Sequence, residues 1–198
     1  MNASMTSRDR LIAAMADALQ RKGLHGVGLN ELLSQAASPK GVLYHHFPGG
    51  KTELAVAAID RVVTRLEGSL AALAEQPEPL QALADWLGQA ERLLRDSGFE
   101  RGCPLATVAL ESTADDDMLR DALAQGFARL RQAVSGLLER LGIAPPRAQA
   151  LATLVLSAYE GALLQARVAG DGATMTITTG LLLDLLQHER NNKNPESP

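Results

Sequence analysis

The chain has one cysteine, Cys103, in 198 residues. A single thiol excludes a disulfide framework and a cysteine-based zinc site within one chain. Aromatic residues make up only 3% of the sequence, while Ala and Leu dominate, a balance typical of helical proteins. There is no strand-like alternation and no internal repeat. No apolar run reaches transmembrane length, and the start lacks a signal-peptide pattern, so a soluble cytoplasmic protein without a membrane partner is expected. The four histidines, His25, His45, His46 and His188, form neither a Glu-x-x-His nor a His-Glu-x-x-His arrangement, so no metal site is expected. Gly49-Gly50-Lys51 lacks the earlier glycine of a phosphate-cradling loop. No cofactor is called for, and an enzyme on a helical scaffold has little support.

What is present is apolar bulk. Hydrophobic residues account for 46%, enough for a real core in one or two domains. The formal net charge is −4, which argues against a protein coated in nucleic acid along its whole length. Charge is uneven. Residues 1–60 hold six Lys/Arg against five Asp/Glu, and residues 61–198 hold thirteen against eighteen. Only the N-terminal part is a plausible polyanion-binding region.

Helical periodicity runs from end to end. Thr6-Ser7-Arg8-Asp9 has the form of a capping box. Leu11, Ile12, Met15, Ala16 and Leu19 then share one face, and Gly23 ends the first helix. A short second helix carries Leu29, Leu32, Leu33 and Ala36. After a tight break, Ser38 is the expected N-cap of a third helix and Pro39 its first position. That helix runs to about Phe47, where Pro48-Gly49-Gly50 stops it. A fourth begins near Lys51 and continues to about residue 75. Beyond Pro77–Pro79, helices are expected at about 80–95, 105–111, 118–141, 147–167 and 174–188. The tail 191–198 is expected to be disordered.

Two short helices joined by a tight turn have the spacing of a helix-turn-helix, whose second helix enters the major groove. The third helix divides its labour accordingly. Leu43 and Phe47 can share a buried side, while Lys40, Tyr44 and His45 offer donors and flat rings. Gly41 lets a backbone approach closely. Lys51 sets a charge beside the unpaired N–H groups of a helix start, a good phosphate site. The same spacing also fits a helix pair that only packs, so a helical adaptor binding protein alone stands beside the DNA reading.

Residues Gly28 to Leu54, above all Pro39-Lys40-Gly41-Val42-Leu43-Tyr44-His45-His46-Phe47-Pro48-Gly49-Gly50-Lys51-Thr52-Glu53-Leu54, closely resemble the DNA-binding domain of the TetR/AcrR family of transcriptional regulators. Pro-Lys-Gly, His-His-Phe-Pro-Gly-Gly-Lys, Gly102-Cys103-Pro104-Leu105-Ala106 and Tyr159-Glu160-Gly161-Ala162-Leu163 resemble the LmrA/YxaF-type subgroup. The strong match covers about residues 6–60. The resemblance implies an all-α homodimer with an N-terminal helix-turn-helix DNA-binding domain, residues 1–54, and a C-terminal ligand-binding and dimerisation domain, residues 55–190. It implies a repressor released from palindromic double-stranded operator DNA by a small hydrophobic effector. By position it assigns Ser38, Pro39, Lys40, Gly41, Tyr44, His45 and Lys51 to DNA binding. Many members have Thr at the start of helix two; this chain has Gly28, with Asn30 as the substitute contact.

For an apolar effector pocket the candidates are Trp86, Phe99, Cys103, Leu105, Val108, Phe127, Arg131, Tyr159 and Glu160, each of which also reads as core. Glu160, in an otherwise apolar stretch, binds a ligand, pairs with Arg167 or sits at an interface edge. Cys103 is a sensor thiol or an inert one. Small residues Ala158, Gly161, Ala162 and Ala166, with Leu181, Leu182 and Leu185, suggest a four-helix dimer interface, against the alternative of a monomer with a thick core.

Overall fold

The structure is a computed structural model that describes residues 5–192. Among the described residues there are nine helices and no strand: α1 (Ser7–Lys22), α2 (Leu29–Gln35), α3 (Lys40–His46), α4 (Gly50–Ala74), α5 (Pro79–Asp96), α6 (Pro104–Glu111), α7 (Asp117–Arg140), α8 (Pro145–Ala169) and α9 (Ala173–Asn191). The expected disordered tail lies outside the described residues from position 193 on, while Asn191 closes α9.

The helix limits follow local chemistry. Thr6 Oγ1 accepts from the Asp9 amide at 3.1 Å, and the Asp9 carboxylate accepts from the Thr6 backbone as well as from its hydroxyl at 2.6 Å, so the capping box at α1 forms. Gly23 ends α1 with φ +67°, and its N–H donates to the Leu19 carbonyl. Pro at the first turn opens α5, α6 and α8, where a missing N–H costs no helical bond.

The start of α3 departs from expectation. Pro39, not Ser38, occupies the N-cap position, and no side chain caps the helix. Ser38 is buried, and its hydroxyl donates to the Ala36 carbonyl at 3.1 Å. A short hydroxyl beside a tight turn has backbone carbonyls nearer than the next helix's amides.

The chain folds as two compact units. The first comprises the described residues up to Thr64 together with Gly102–Phe127, so it takes in α6 and the start of α7 as well as α1–α3. An N-terminal domain ending at residue 54 contains neither. In this unit α1 packs on α2, α3 and α6. Leu11, Met15, Leu19, Leu32, Leu43, Phe47, Leu54, Leu105 and Val108 are buried. At Gly126 of α7 a Cβ would stand 3.0 Å from Leu105 and 3.1 Å from Val63, so the bare backbone admits both neighbours.

The second unit, Arg65–Arg101 with the described residues from Ala128 on, has its own core. Leu70, Leu83, Leu87, Val134, Leu137, Leu138, Leu151, Val155, Leu182 and Leu186 form it. Helices α8 and α9 pack closely against each other, and α5 packs on α9. Ala162, Ala166 and Leu182, expected at a dimer interface, are instead buried inside the single chain. Leu154, Leu164 and Val168 of α8 and Ile177 and Leu181 of α9 point outward, with Val168 83% and Leu181 67% exposed. Gly161 lies at the same three-to-four spacing as this outward row on α8.

Candidate nucleic-acid interface and effector cavity

The turn between α2 and α3 is fixed from three sides. The Ala36 amide donates to Leu32, the Ala37 amide to Ser34 and the Ser38 amide to Leu33. Ala37 sits at φ +45°, the left-handed excursion that lets so short a connection turn. The Ala36 carbonyl then accepts from Ser38 Oγ and, at 3.0 Å, from Arg10 Nε of α1. Arg10 also donates to the Met5 carbonyl at 3.0 Å. Sequence reasoning missed Arg10, because a lone arginine on an amphipathic helix reads as a solvated charge.

α3 has two faces. Leu43 and Phe47 have essentially no solvent exposure. Lys40, Gly41, Tyr44 and His45 are exposed together on the opposite side, as spacing of one and four residues requires. Lys40 Nζ lies 6.0 Å from the Tyr44 ring centre, a loose cation–π contact that lines both groups along one edge. His46 belongs to neither group. Its Nε2 is 2.9 Å from Ser7 Oγ, which ties α3 to the start of α1. Arg8 covers the Phe47 ring at 5.3 Å.

Lys51 stands at the first turn of α4, half-buried. Burial pushes its ammonium below the usual lysine value, and the Glu111 carboxylate opposes that shift. The Glu53 carboxylate accepts from the Gly49 amide at 2.7 Å and closes the α3–α4 turn. Gly28 occupies the N-cap of α2 in extended geometry, with no side-chain cap, and Asn30 is exposed beside it. Pro39 is exposed at the start of α3, whereas buried Ser38 presents nothing outward.

The second unit holds a small, partly open apolar cavity. Leu66 and Leu70 of α4, Leu83, Trp86 and Leu87 of α5, Leu130 and Val134 of α7, and Val155, Leu156, Tyr159 and Glu160 of α8 line it. The Trp86 and Tyr159 rings lie 6.3 Å apart at 33°. Glu160 is the one charged residue of this lining, and its Oε2 is closed off from solvent. Trp86, Tyr159 and Glu160 are thus brought together from the residues picked out in the sequence.

The other six are elsewhere. Arg131 is half-buried on α7 without joining the lining, and Phe99 follows α5 at φ +62°. Cys103 is the N-cap residue of α6, Phe127 closes the first unit, and Leu105 and Val108 are core of that unit. The lining leucines and valines were missed because an aliphatic residue at helical spacing looks the same whether it faces a neighbour or a void.

Among the described residues no group of three His, Cys, Asp or Glu is placed to hold a metal, and no helix is long and apolar enough to cross a membrane.

Comparison with known proteins agrees along the chain. Residues 11–58 match the family described as "Bacterial regulatory proteins, tetR family", and residues 79–179 match "Transcriptional regulator LmrA/YxaF-like, C-terminal domain". An HTH-type transcriptional regulator of Mycobacterium tuberculosis is 32% identical over 92% of this chain and 95% of its own length. The HTH-type transcriptional regulator LmrA of Bacillus subtilis is 26% identical over 91% and 97%. Among solved structures, a TetR transcriptional regulator from Legionella pneumophila superposes with a TM-score of 0.79 at 20% identity, covering 92% of this chain and 97% of that one. Reduced E. coli NemR gives 0.77 at 23% identity, over 90% and 96%. With an N-terminal helix-turn-helix match, an LmrA/YxaF-like C-terminal match and relatives aligned over nearly their whole length, the chain belongs to the TetR family of helix-turn-helix transcriptional regulators, a family of DNA-binding proteins rather than enzymes.

Proposed function

We propose that this protein is a dimeric, cytoplasmic repressor that leaves a near-palindromic operator when a small hydrophobic effector fills the α4–α5–α7–α8 cavity. The observation that carries the reading is the two-faced α3. Leu43 and Phe47 anchor it, while Lys40, Gly41, Tyr44 and His45 are free to meet base edges and phosphates. Lys51 adds a phosphate contact at the start of α4.

One such helix carries little positive charge and binds weakly. Two, presented by a symmetric dimer, read half-sites about 34 Å apart or a larger helical repeat. The outward row Leu154, Leu164, Val168, Ile177 and Leu181 supplies apolar area for that pairing.

The cavity walls are apolar with one carboxylate, the chemistry that a hydrophobic effector with one polar group would meet as the pocket opens around it. α4 carries both Lys51 and the lining residues Leu66 and Leu70, so one continuous helix links DNA contact to cavity wall. Release is then a population shift, in which the effector binds better to a form whose recognition helices are wrongly spaced.

The test is a gel-shift with the DNA upstream of the protein's own gene, repeated with a panel of apolar aromatic compounds. A retarded band abolished by one class of compound is expected. A protein that retards no duplex overturns the regulator reading, and a band that no compound moves overturns effector control.

A further inference from the structure

The turn between α1 and α2 carries two amide groups, of Leu24 and His25, that converge on one carboxylate from far along the chain. Glu111 Oε2 accepts from the Leu24 N–H at 2.5 Å and from the His25 N–H at 3.1 Å. Glu111 is the last residue of α6. Its placement opposes ordinary helix electrostatics, because a carboxylate is disfavoured at a helix C-terminus and this one sits at two, those of α6 and α1. Something must offset that cost. The two amides do so with charge-assisted bonds, and the half-buried Lys51 ammonium adds an attraction.

The approach requires Gly23. A Cβ there would overlap the Glu111 carboxylate, and the residue already needs φ +67°. The other end of α6 is tied to α1 as well, through the Gly102 N–H to the Gln20 carbonyl at 3.0 Å. α6 is therefore fastened to the last turn of α1 at its start and to the α1–α2 turn at its end.

We propose that Glu111 is a positioning residue for operator reading: its carboxylate fixes the α1–α2 turn and so the angle at which α2 and α3 leave α1. This rests on the assignment of α3 as the DNA-reading helix. Glu111 itself touches no DNA. Its role is to remove slack from the turn, so that the exposed face of α3 is presented in one orientation.

The experiment uses full-length protein with Glu111→Ala and Glu111→Gln. Amide hydrogen exchange at Leu24 and His25 is measured in the free protein. Affinity is measured for a duplex selected from random sequence by the wild type, and for unselected duplex, well below the melting temperature. The Ala variant is expected to exchange faster at both amides and to bind the selected duplex about tenfold more weakly. Binding to unselected duplex, set by phosphate contacts, stays within about twofold. The Gln variant, which keeps an acceptor oxygen, falls between. If Ala is too unstable to study, the near-isosteric Gln carries the test alone, with a smaller shift in the same directions.

Unchanged exchange at both amides overturns the hook. Faster exchange with selective affinity within about twofold of wild type overturns its role in reading. A purely stabilising role lowers melting without changing the affinity ratio, and that outcome counts against the proposal. A wild type that selects no duplex overturns the DNA-reading assignment itself, and the exchange arm still shows whether the hook exists.

Discussion

Arg10 of α1 donates from Nε to the carbonyl of Ala36 at 3.0 Å, so the first helix holds the turn of the helix-turn-helix directly. A second bond, from Nη1 to the Met5 carbonyl, fixes the guanidinium on its other edge. A planar fork with several donors can serve both carbonyls at once; a lysine ammonium on a flexible stem cannot hold the same geometry. Arg10→Ala is expected to lower unfolding free energy by roughly 1–2 kcal/mol, the worth of a partly buried hydrogen bond from a charged donor. Arg10→Lys should recover little of that loss. Chemical denaturation of the three proteins checks it, and equal midpoints would refute the assignment. Operator affinity should fall in step, because the Ala36 carbonyl defines where α3 begins.

A second prediction concerns the departure at Gly28. Its backbone, φ −75° and ψ 127°, suits any residue, and a Cβ would meet nothing nearer than Glu31 at 3.9 Å. Gly28→Thr therefore fits without strain. Its hydroxyl would cap α2, for a few tenths of a kcal/mol over glycine. At an exposed helix start it would also stand ready to donate to a phosphate. Tighter operator binding, by about twofold to tenfold, is expected in a gel-shift titration. Weaker binding would mean that the start of α2 meets something other than the DNA backbone.

The local rules were the legible part. The Thr6–Asp9 capping box, the Gly23 stop and the proline-opened helices all follow from neighbours in sequence, and helix limits were readable to within a few residues. So was the two-faced α3, because Leu43 and Phe47 are set against Lys40, Tyr44 and His45 within one helix. Ser38 went the other way because its hydroxyl had two partners within reach, and the turn carbonyl won. What spacing cannot express is which distant element a side chain meets. Arg10 to Ala36 and Glu111 to Leu24 are such cases, and so is the division of α8 residues between α9 of the same chain and the outside. Ala162 and Ala166 are buried inside the single chain, and small size does not say which helix a residue meets.

A third prediction follows from the capping box. Accepting from the Thr6 hydroxyl holds the Asp9 carboxyl below the usual aspartate value; burial opposes this, and a bond from the Thr6 backbone and the charges of Arg61 and Arg8 add smaller lowering contributions. A depressed folded-state value means that the stabilisation is present above the unfolded value, near about 3.9, and is lost as pH falls through the folded one. Thr6→Ala removes the hydroxyl. Asp9 should then titrate closer to an ordinary aspartate by NMR, and the variant's stability should lose part of its acid dependence below about pH 4. An unmoved Asp9 titration would show that the Thr6 backbone bond and the nearby charges, not the hydroxyl, set its value.

The sharpest test of the outward face uses two adjacent leucines. Leu181 is 67% exposed on α9, while Leu182 is 7% exposed and belongs to the core of the second unit. A charge at Leu181 should leave the protomer folded, since the side chain contributes little to the core, yet place carboxylates together wherever two copies meet across a two-fold axis. Leu181→Glu is therefore expected to shift the light-scattering mass from dimer to monomer with an unchanged helical circular dichroism spectrum. Its operator affinity should collapse because the two recognition helices are no longer presented together. Leu182→Glu buries a charge without a partner and should instead unfold the second unit, a loss of several kcal/mol by the usual cost of burying an unpaired carboxylate. If Leu181→Glu remained a dimer with full affinity, the α8–α9 row would not be the pairing surface. If both variants unfolded alike, the division of α9 into an inner and an outer face would be wrong.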